Sequence, residues 1–183
     1  MASDVKQQSN TAMRKLCYLW VPIILVALDQ ITKIWARASL RGHQPVQVIG
    51  EYVTFTYTEN KGAAWGMLSG RINFFVIITA LMIVAFLWII AKTPSVGRYR
   101  PLLITLLSIV SGSLGNLWDR ITRKAVTDFI SFDVIDFPIF NVADICLTCG
   151  FVVLAILIIF YYKEEELSFI PLFKSGDKKK VEQ

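Results

Sequence analysis

The segment FNVADICLTCGFVVLAILIIFYY, Phe140 to Tyr162, is an apolar run with a carboxylate one turn inside it, Asp144, and no cation of its own to answer that charge. A second carboxylate, Asp128, sits in VTDF, a short apolar patch between charged stretches that returns the chain toward the apolar run. Two carboxylates held close cannot both ionise easily: one pKa rises, the other stays low, and the pair shares a proton. Such a pair can hydrolyse an amide. The ionised member takes a proton from water as it attacks, and the protonated member donates a hydrogen bond to the carbonyl oxygen. Spacing alone leaves other uses open. Asp29, Asp128 and Asp144 could line a proton or cation path in a small transporter or channel subunit, and the polar groups could be helix contacts in a non-catalytic scaffold.

These residues need elements to position them. With 183 residues, 55% of them hydrophobic, and a mean hydropathy of +0.54, the chain reads as one small integral membrane domain. Four stretches can cross a hydrocarbon core of about 30 Å: Leu16 to Ile34, Ile72 to Ala91, Pro101 to Leu117 and Phe140 to Tyr162. The fold class predicted is an all-α membrane protein of four transmembrane helices, with a small extracytoplasmic β-sheet between helices 1 and 2. Basic residues collect in the N-terminal tail, in the connection bearing Lys92, Arg98 and Arg100, and in the tail 163–183, so both termini are placed on the cytoplasmic side. The net charge of +5 is thereby a topology signal, and no nucleic-acid partner is expected. A cleaved signal peptide is the rival reading of the first stretch. Removing it would leave three spans and upset that charge balance.

Within 44–71, Val53, Phe55 and Tyr57 alternate with Thr54, Thr56 and Thr58, the two-residue period of a strand, bounded by Gly50 and Gly62. KGAAWGML follows, rich in small residues that permit close backbone approach, with Trp65 placed at the interface. The stretch Trp118 to Ile139 is read as a charged loop, and the apolar patch Leu167 to Phe173 as lying against the membrane. On this topology Asp29 with Lys33, Asn116 with Asp119 and Arg120, and Asn141 with Asp144 converge at one depth. Charged side chains at that depth cost several kcal/mol unless they face a protein interior or a wet cavity, so the convergence marks a site.

Other chemistries find little support. His43 is the single histidine, and no cluster of zinc-ligand spacing exists. SGSLG, Ser111 to Gly115, reads as a small-residue helix contact, and Cys146 and Cys149 as packing residues within an apolar helix.

With these residues in view, the chain resembles the bacterial lipoprotein signal peptidases, the signal peptidase II family. The likeness runs from about Leu16 to Tyr162 and rests on Asp29 with Lys33, ENKGAAWG, GNLWDR, VTDF and FNVAD, in that order. The resemblance implies a membrane-embedded aspartic endopeptidase with Asp128 and Asp144 as its catalytic pair. It also implies a substrate: a prolipoprotein whose cysteine carries diacylglycerol, cut just before that cysteine. By the same likeness Asn60, Gly62, Asn116, Arg120 and Asn141 would bind or orient substrate, and Asp29, Lys33 and Asp119 would support the site. The resemblance further implies no metal or other cofactor, contact with membrane lipids, inhibition by globomycin-type cyclic peptides, and a bacterial cytoplasmic (inner) membrane location with the active site near the outer leaflet. Size and a single site are compatible with a monomer. Trp65 stands where the family more often has Phe, SGS where GGA is frequent, and Lys124 where Gly is common.

Overall fold

The computed structural model describes residues 15–62, 70–135 and 137–173. In chain order these form α1 (Trp20–Ser39), β1 (Val46–Ile49), β2 (Val53–Asn60), α2 (Ile72–Lys92), α3 (Arg100–Arg123), β3 (Val126–Phe132) and α4 (Val142–Ile156), which continues as a π turn at Leu157–Tyr161. The expected KGAAWGML segment lies largely outside the described residues, Trp65 included.

Three helical stretches are long and apolar enough to cross a membrane, Ile72–Lys92, Gly97–Arg123 and Val142–Tyr161. The fourth expected span, α1, has 20 residues but carries Asp29, Lys33 and Arg37, and by composition it does not join them. α3 is the centre of the bundle: 67% of its most apolar window is buried, against 11% and 17% for the other two. α1, α2 and α4 all pack on it. The outer faces of α2 and α4 are correspondingly apolar and open, as at Ile77, Leu81, Val152 and Phe160. Association in lipid depends on close packing and interhelical hydrogen bonds, because the acyl chains are as apolar as the side chains they meet. SGSLG supplies that closeness. A Cβ on Gly112 would lie 2.5 Å from the Ala143 carbonyl oxygen, and one on Gly115 would run into the Asp29 carboxylate. The small-residue contact expected there is what the fold uses, and it fixes the depth at which α1 and α4 meet α3.

The sheet departs from expectation. β1, β2 and β3 form one antiparallel sheet in that order, and β3 comes from beyond α3 rather than from 44–71. Residues 126–132, VTDFISF, are rich in β-branched and aromatic types, and their pairing with β2 outweighs the charges on either side. α3 likewise continues past Leu117 to Arg123, because Asn116 and Asp119 turn into the protein and are buried instead of ending the helix in solvent. Lys124 then stops it, with φ at 59° in the left-handed region, where glycine is at home. That is the physical meaning of the departure at this position.

Trp35 of α1, Phe55 of β2 and Phe129 of β3 meet edge to face with centroids 5.4 to 6.0 Å apart, locking the sheet to the first helix. At the other end of the bundle, Leu167 does not lie on a membrane surface: it is 1% exposed in a core with Leu102, Leu106, Leu157 and Tyr162. Tyr99 stacks on Tyr162, and Arg98 pairs with Glu166 at 2.9 Å, so the segment after α4 is pinned to the entry of α3.

Candidate active site

α4 begins with a capping box. Asn141 is its N-cap: the side-chain oxygen accepts from the Asp144 backbone N–H at 3.1 Å, while the Asp144 Oδ2 accepts from the Asn141 N–H at 3.1 Å. The helix start therefore fixes the Asp144 rotamer and sets its carboxylate where the aligned N–H groups favour negative charge. The same Asn141 reaches across to the strand, its Nδ2 donating to Asp128 Oδ1 at 2.6 Å. One asparagine thus joins the two carboxylates.

Each carboxylate has a further amide partner. Asn60, at the end of β2, donates to Asp128 Oδ2 at 3.0 Å, and its own Oδ1 accepts from the Gly62 N–H at 2.9 Å. Asn116 of α3 donates to Asp144 Oδ1 at 2.8 Å, and its Oδ1 accepts from Asn141 Nδ2 at 3.2 Å and from Lys33 Nζ at 2.8 Å. Burial, and after it the charge of Asp144, push the Asp128 carboxyl up to about 7, while the hydrogen bonds from Asn141 and Asn60 pull the other way.

Beneath the pair is a buried ionic layer. Lys33, wholly buried, lies 3.0 Å from Asp29 and 3.5 Å from Asp119; with Asn116 these account for its three N–H donors. Asp29 Oδ1 accepts from the Ala143 N–H at 3.0 Å, inside the first turn of α4. Asp119 Oδ2 accepts from the Thr127 N–H at 3.1 Å, next to Asp128 in β3. The layer holds the elements that carry the two acids, α4 through Asp29 and β3 through Asp119. A charge so buried is tolerated only when paired and hydrogen-bonded, and its second cost is that it admits very little movement. Among the buried side-chain polar atoms of the described residues, Asp119 Oδ1 is the one that finds no hydrogen-bond partner there, with the Arg37 guanidinium 4.0 Å away.

The residues read from sequence as the candidate site, Asp29, Lys33, Asn60, Gly62, Asn116, Asp119, Arg120, Asp128, Asn141 and Asp144, gather at this end of the bundle. Arg120 is the least engaged: its guanidinium lies 5.4 Å from the centre of the Phe75 ring, within electrostatic range of Asp144 and Asp128. Sequence reading missed Arg37, which donates to Thr127 Oγ1 at 2.9 Å, and Gln30, which donates to Asp29 at 3.0 Å and to the Gly115 carbonyl at 3.3 Å. Arg37 lies one helical turn after Lys33, and that i, i+4 spacing was the available signal. The N-x-x-D pattern ahead of an apolar run was likewise a readable capping signature. Elsewhere, His43 is exposed in the turn after α1, Cys146 and Cys149 form no disulfide, and among the described residues no group of histidines, cysteines and acids could hold a metal ion.

Fold and site together define a helical membrane protein with two carboxylates, linked through Asn141, at one end of its bundle. A family model described as signal peptidase (SPase) II matches residues 21–160. The lipoprotein signal peptidase of Lactococcus lactis subsp. lactis is 38% identical over 147 residues, covering 80% of this chain and 96% of the relative. That of Streptococcus pyogenes serotype M5 is 38% identical over 154 residues, covering 84% and 98%. Among solved structures, a bacterial membrane enzyme at 2.3 Å resolution superposes with a TM-score of 0.71 at 30% identity, over 91% of this chain and 93% of the other, and another at 1.9 Å does so with 0.72 at 31% identity, over 80% and 94%. The chain belongs to the signal peptidase II family. It is a peptidase that removes signal peptides from prolipoproteins, and nothing in these likenesses supports the transporter alternative.

Proposed function

We propose that the chain is an aspartic endopeptidase of the bacterial cytoplasmic membrane that cuts diacylglyceryl-modified prolipoproteins just before the lipidated cysteine, with Asp128 and Asp144 as its catalytic pair. The observation that carries the reading is that Asn141 bridges the two acids, its side chain donating to the Asp128 carboxylate and its backbone N–H to that of Asp144, with the Asp128 carboxyl raised to about 7. In the resting enzyme the proton resides on Asp128, and Asp144, at a helix N-terminus, is the ionised base. Asp144 takes a proton from water as the water oxygen bonds to the scissile carbonyl carbon, and Asp128 gives its proton to the carbonyl oxygen. The tetrahedral intermediate then collapses: its C–N bond breaks, the departing nitrogen receives the proton held by Asp144, and a hydroxyl proton of the intermediate returns to Asp128. The products are the signal peptide's carboxyl and the free amine of the cysteine, with one water consumed.

α1 is the fourth span, its charged face turned to α3 and α4, and both termini are cytoplasmic. The site then sits near the outer leaflet, where a diacylated cysteine is anchored, so the bond is met without extracting the lipid. Acyl chains and signal helix lie along the apolar outer faces of α2 and α4. Asn60, Asn116, Asn141 and Arg120 orient the substrate, Gly62 anchors Asn60, and Asp29, Lys33 and Asp119 hold the acids in place. Globomycin-type cyclic peptides would compete for the same cleft, and the working unit is a monomer.

The test incubates wild type, Asp128→Asn and Asp144→Asn with one lipidated precursor and the same precursor without lipid, following release of the signal peptide by mass. Cleavage by wild type alone, and of the lipidated form alone, is expected. Full activity in either folded variant would remove that aspartate from the pair, and equal cutting of the unlipidated precursor would remove the lipid requirement.

A further inference from the structure

We infer that the end of the bundle opposite the carboxylate pair holds a binding site for the phosphate headgroup of an anionic phospholipid, built from Lys15 and Arg100. A pocket of about 320 Å³ opens there between the chain entering α1, the connection from α2, and the start of α3. This is a volume at the lower end of those that take small ligands, about 300 to 1,000 Å³. Lys15 and Arg100 line it, and none of its lining residues is acidic.

Among the described residues neither cation is committed to a carboxylate, and Lys15 is held in place. Lys15 Nζ donates to the Ile90 and Ala91 carbonyls at 3.0 and 2.7 Å, which anchors it against the end of α2 and leaves one of its three N–H donors. Arg100 folds over Gly97, whose added Cβ would lie 3.7 Å from the arginine Nε. Among the described residues no carboxylate pairs with either one. The neighbouring Arg98 differs, since Glu166 holds it in two hydrogen bonds at 2.9 and 3.2 Å. The pocket's own charge is therefore that of Lys15 and Arg100.

Position and lining favour a lipid over a soluble anion. From Arg100 to Asn116 α3 rises about 24 Å at 1.5 Å per residue, comparable with a hydrocarbon core of about 30 Å. With the carboxylate pair near one boundary, the pocket falls at the other, where headgroups lie. Tyr18, Val96 and Leu103 give it an apolar wall. A free phosphate has no use for that wall, whereas the glycerol and upper acyl carbons of a phospholipid do. The exposed Leu19 and Trp20 beside it continue the apolar track along α1.

The test titrates the purified full-length chain in detergent with phosphatidylglycerol or phosphatidylcholine of the same acyl chains, counting bound lipids by native mass spectrometry, with glycerol phosphate as soluble competitor. One phosphatidylglycerol is expected to be retained in preference to phosphatidylcholine. Arg100→Gln should weaken it about fivefold and Lys15→Gln with Arg100→Gln about thirtyfold, while glycerol phosphate fails to displace it. Lys15→Gln also removes two bonds to α2, so the exposed Arg100 is the deciding single variant, with its thermal unfolding and its precursor cleavage in lipid-free detergent both expected to match wild type. Equal retention of the two lipids, or unchanged affinity in Arg100→Gln, would overturn the proposal. Displacement by equimolar glycerol phosphate would overturn it in favour of a soluble phosphate.

Discussion

Replacing Asn60 by alanine gives a sharp reading of the acid pair. Asn60 donates to Asp128 Oδ2 at 3.0 Å and stabilises the charged form, so its loss must raise the Asp128 value further above about 7. A hydrogen bond to a charged group contributes about 1.5 to 3 kcal/mol, and one pH unit corresponds to about 1.4 kcal/mol. The lower figure applies at this partly buried contact, which gives an upward shift of about one pH unit. In the proposed mechanism Asp128 must hold a proton, so kcat/KM in wild type declines as pH rises through about 7. In Asn60→Ala that decline should begin about one unit higher. The acid limb should stay where it is, because the partners of Asp144 are Asn116 and the Asn141 N–H rather than Asn60. The assay is the initial rate of cleavage of a lipidated precursor across pH 5 to 10, at substrate well below KM. A lower absolute rate in the variant is not the readout. An alkaline limb that stays put or moves acidward would refute the assignment of that titration to Asp128, and a flat wild-type profile would refute a pair that shares a proton.

The same shift acts on stability, with the sign reversed from the usual aspartate. Because the Asp128 value rises from 3.8 to about 7 on folding, its contribution is most favourable below pH 4 and is lost as pH climbs to about 7, by up to roughly 4 kcal/mol. Asp128→Asn should remove that slope from thermal unfolding measured between pH 4 and 8, and an unchanged slope would assign it to other groups. Lys33→Met leaves Asp29 and Asp119 buried without their cation and should cost about 3 to 5 kcal/mol in unfolding experiments; a loss under about 1 kcal/mol would mean the ionic layer is not holding the site. Lys124→Gly relieves a left-handed residue, a strain of about 1 to 2 kcal/mol partly offset by the greater freedom of glycine when unfolded, and should raise Tm slightly at unchanged cleavage rate.

The acids and amides were legible in the sequence because polar groups beside apolar runs are few and costly. Asp144, Asn141, Asn116, Asp29 and Lys33 stand out against their neighbours, and the structure places them together. Helix ends were harder to read. Asn116 and Asp119 look like the start of a loop by hydropathy, yet α3 runs on to Arg123 because partners on α1 and β3 neutralise them. The third strand was missed for a related reason: VTDFISF is flanked by charges, and its strand character is completed by β2, about 70 residues earlier in the chain. Leu167 was assigned to a membrane surface because a short apolar patch has no partner within its own stretch of sequence, whereas the bundle provides one.

Sequence alone determined that the chain is a membrane protein, which side chains are out of place in lipid, and the order in which they occur, since all three follow from composition and local hydropathy. Tertiary structure decided how those side chains face one another. It is the fold that makes Asn141 serve both acids, gives Lys33 two carboxylates and an amide, and turns β3 so that Asp128 meets Asn60. Apart from the i, i+4 pair of Lys33 with Asp29 and the capping contact of Asn141 with Asp144, those contacts join residues from 13 to 86 positions apart, and no local preference of the chain encodes them. They form because each buried charge or amide is stable only when its partners arrive from other elements.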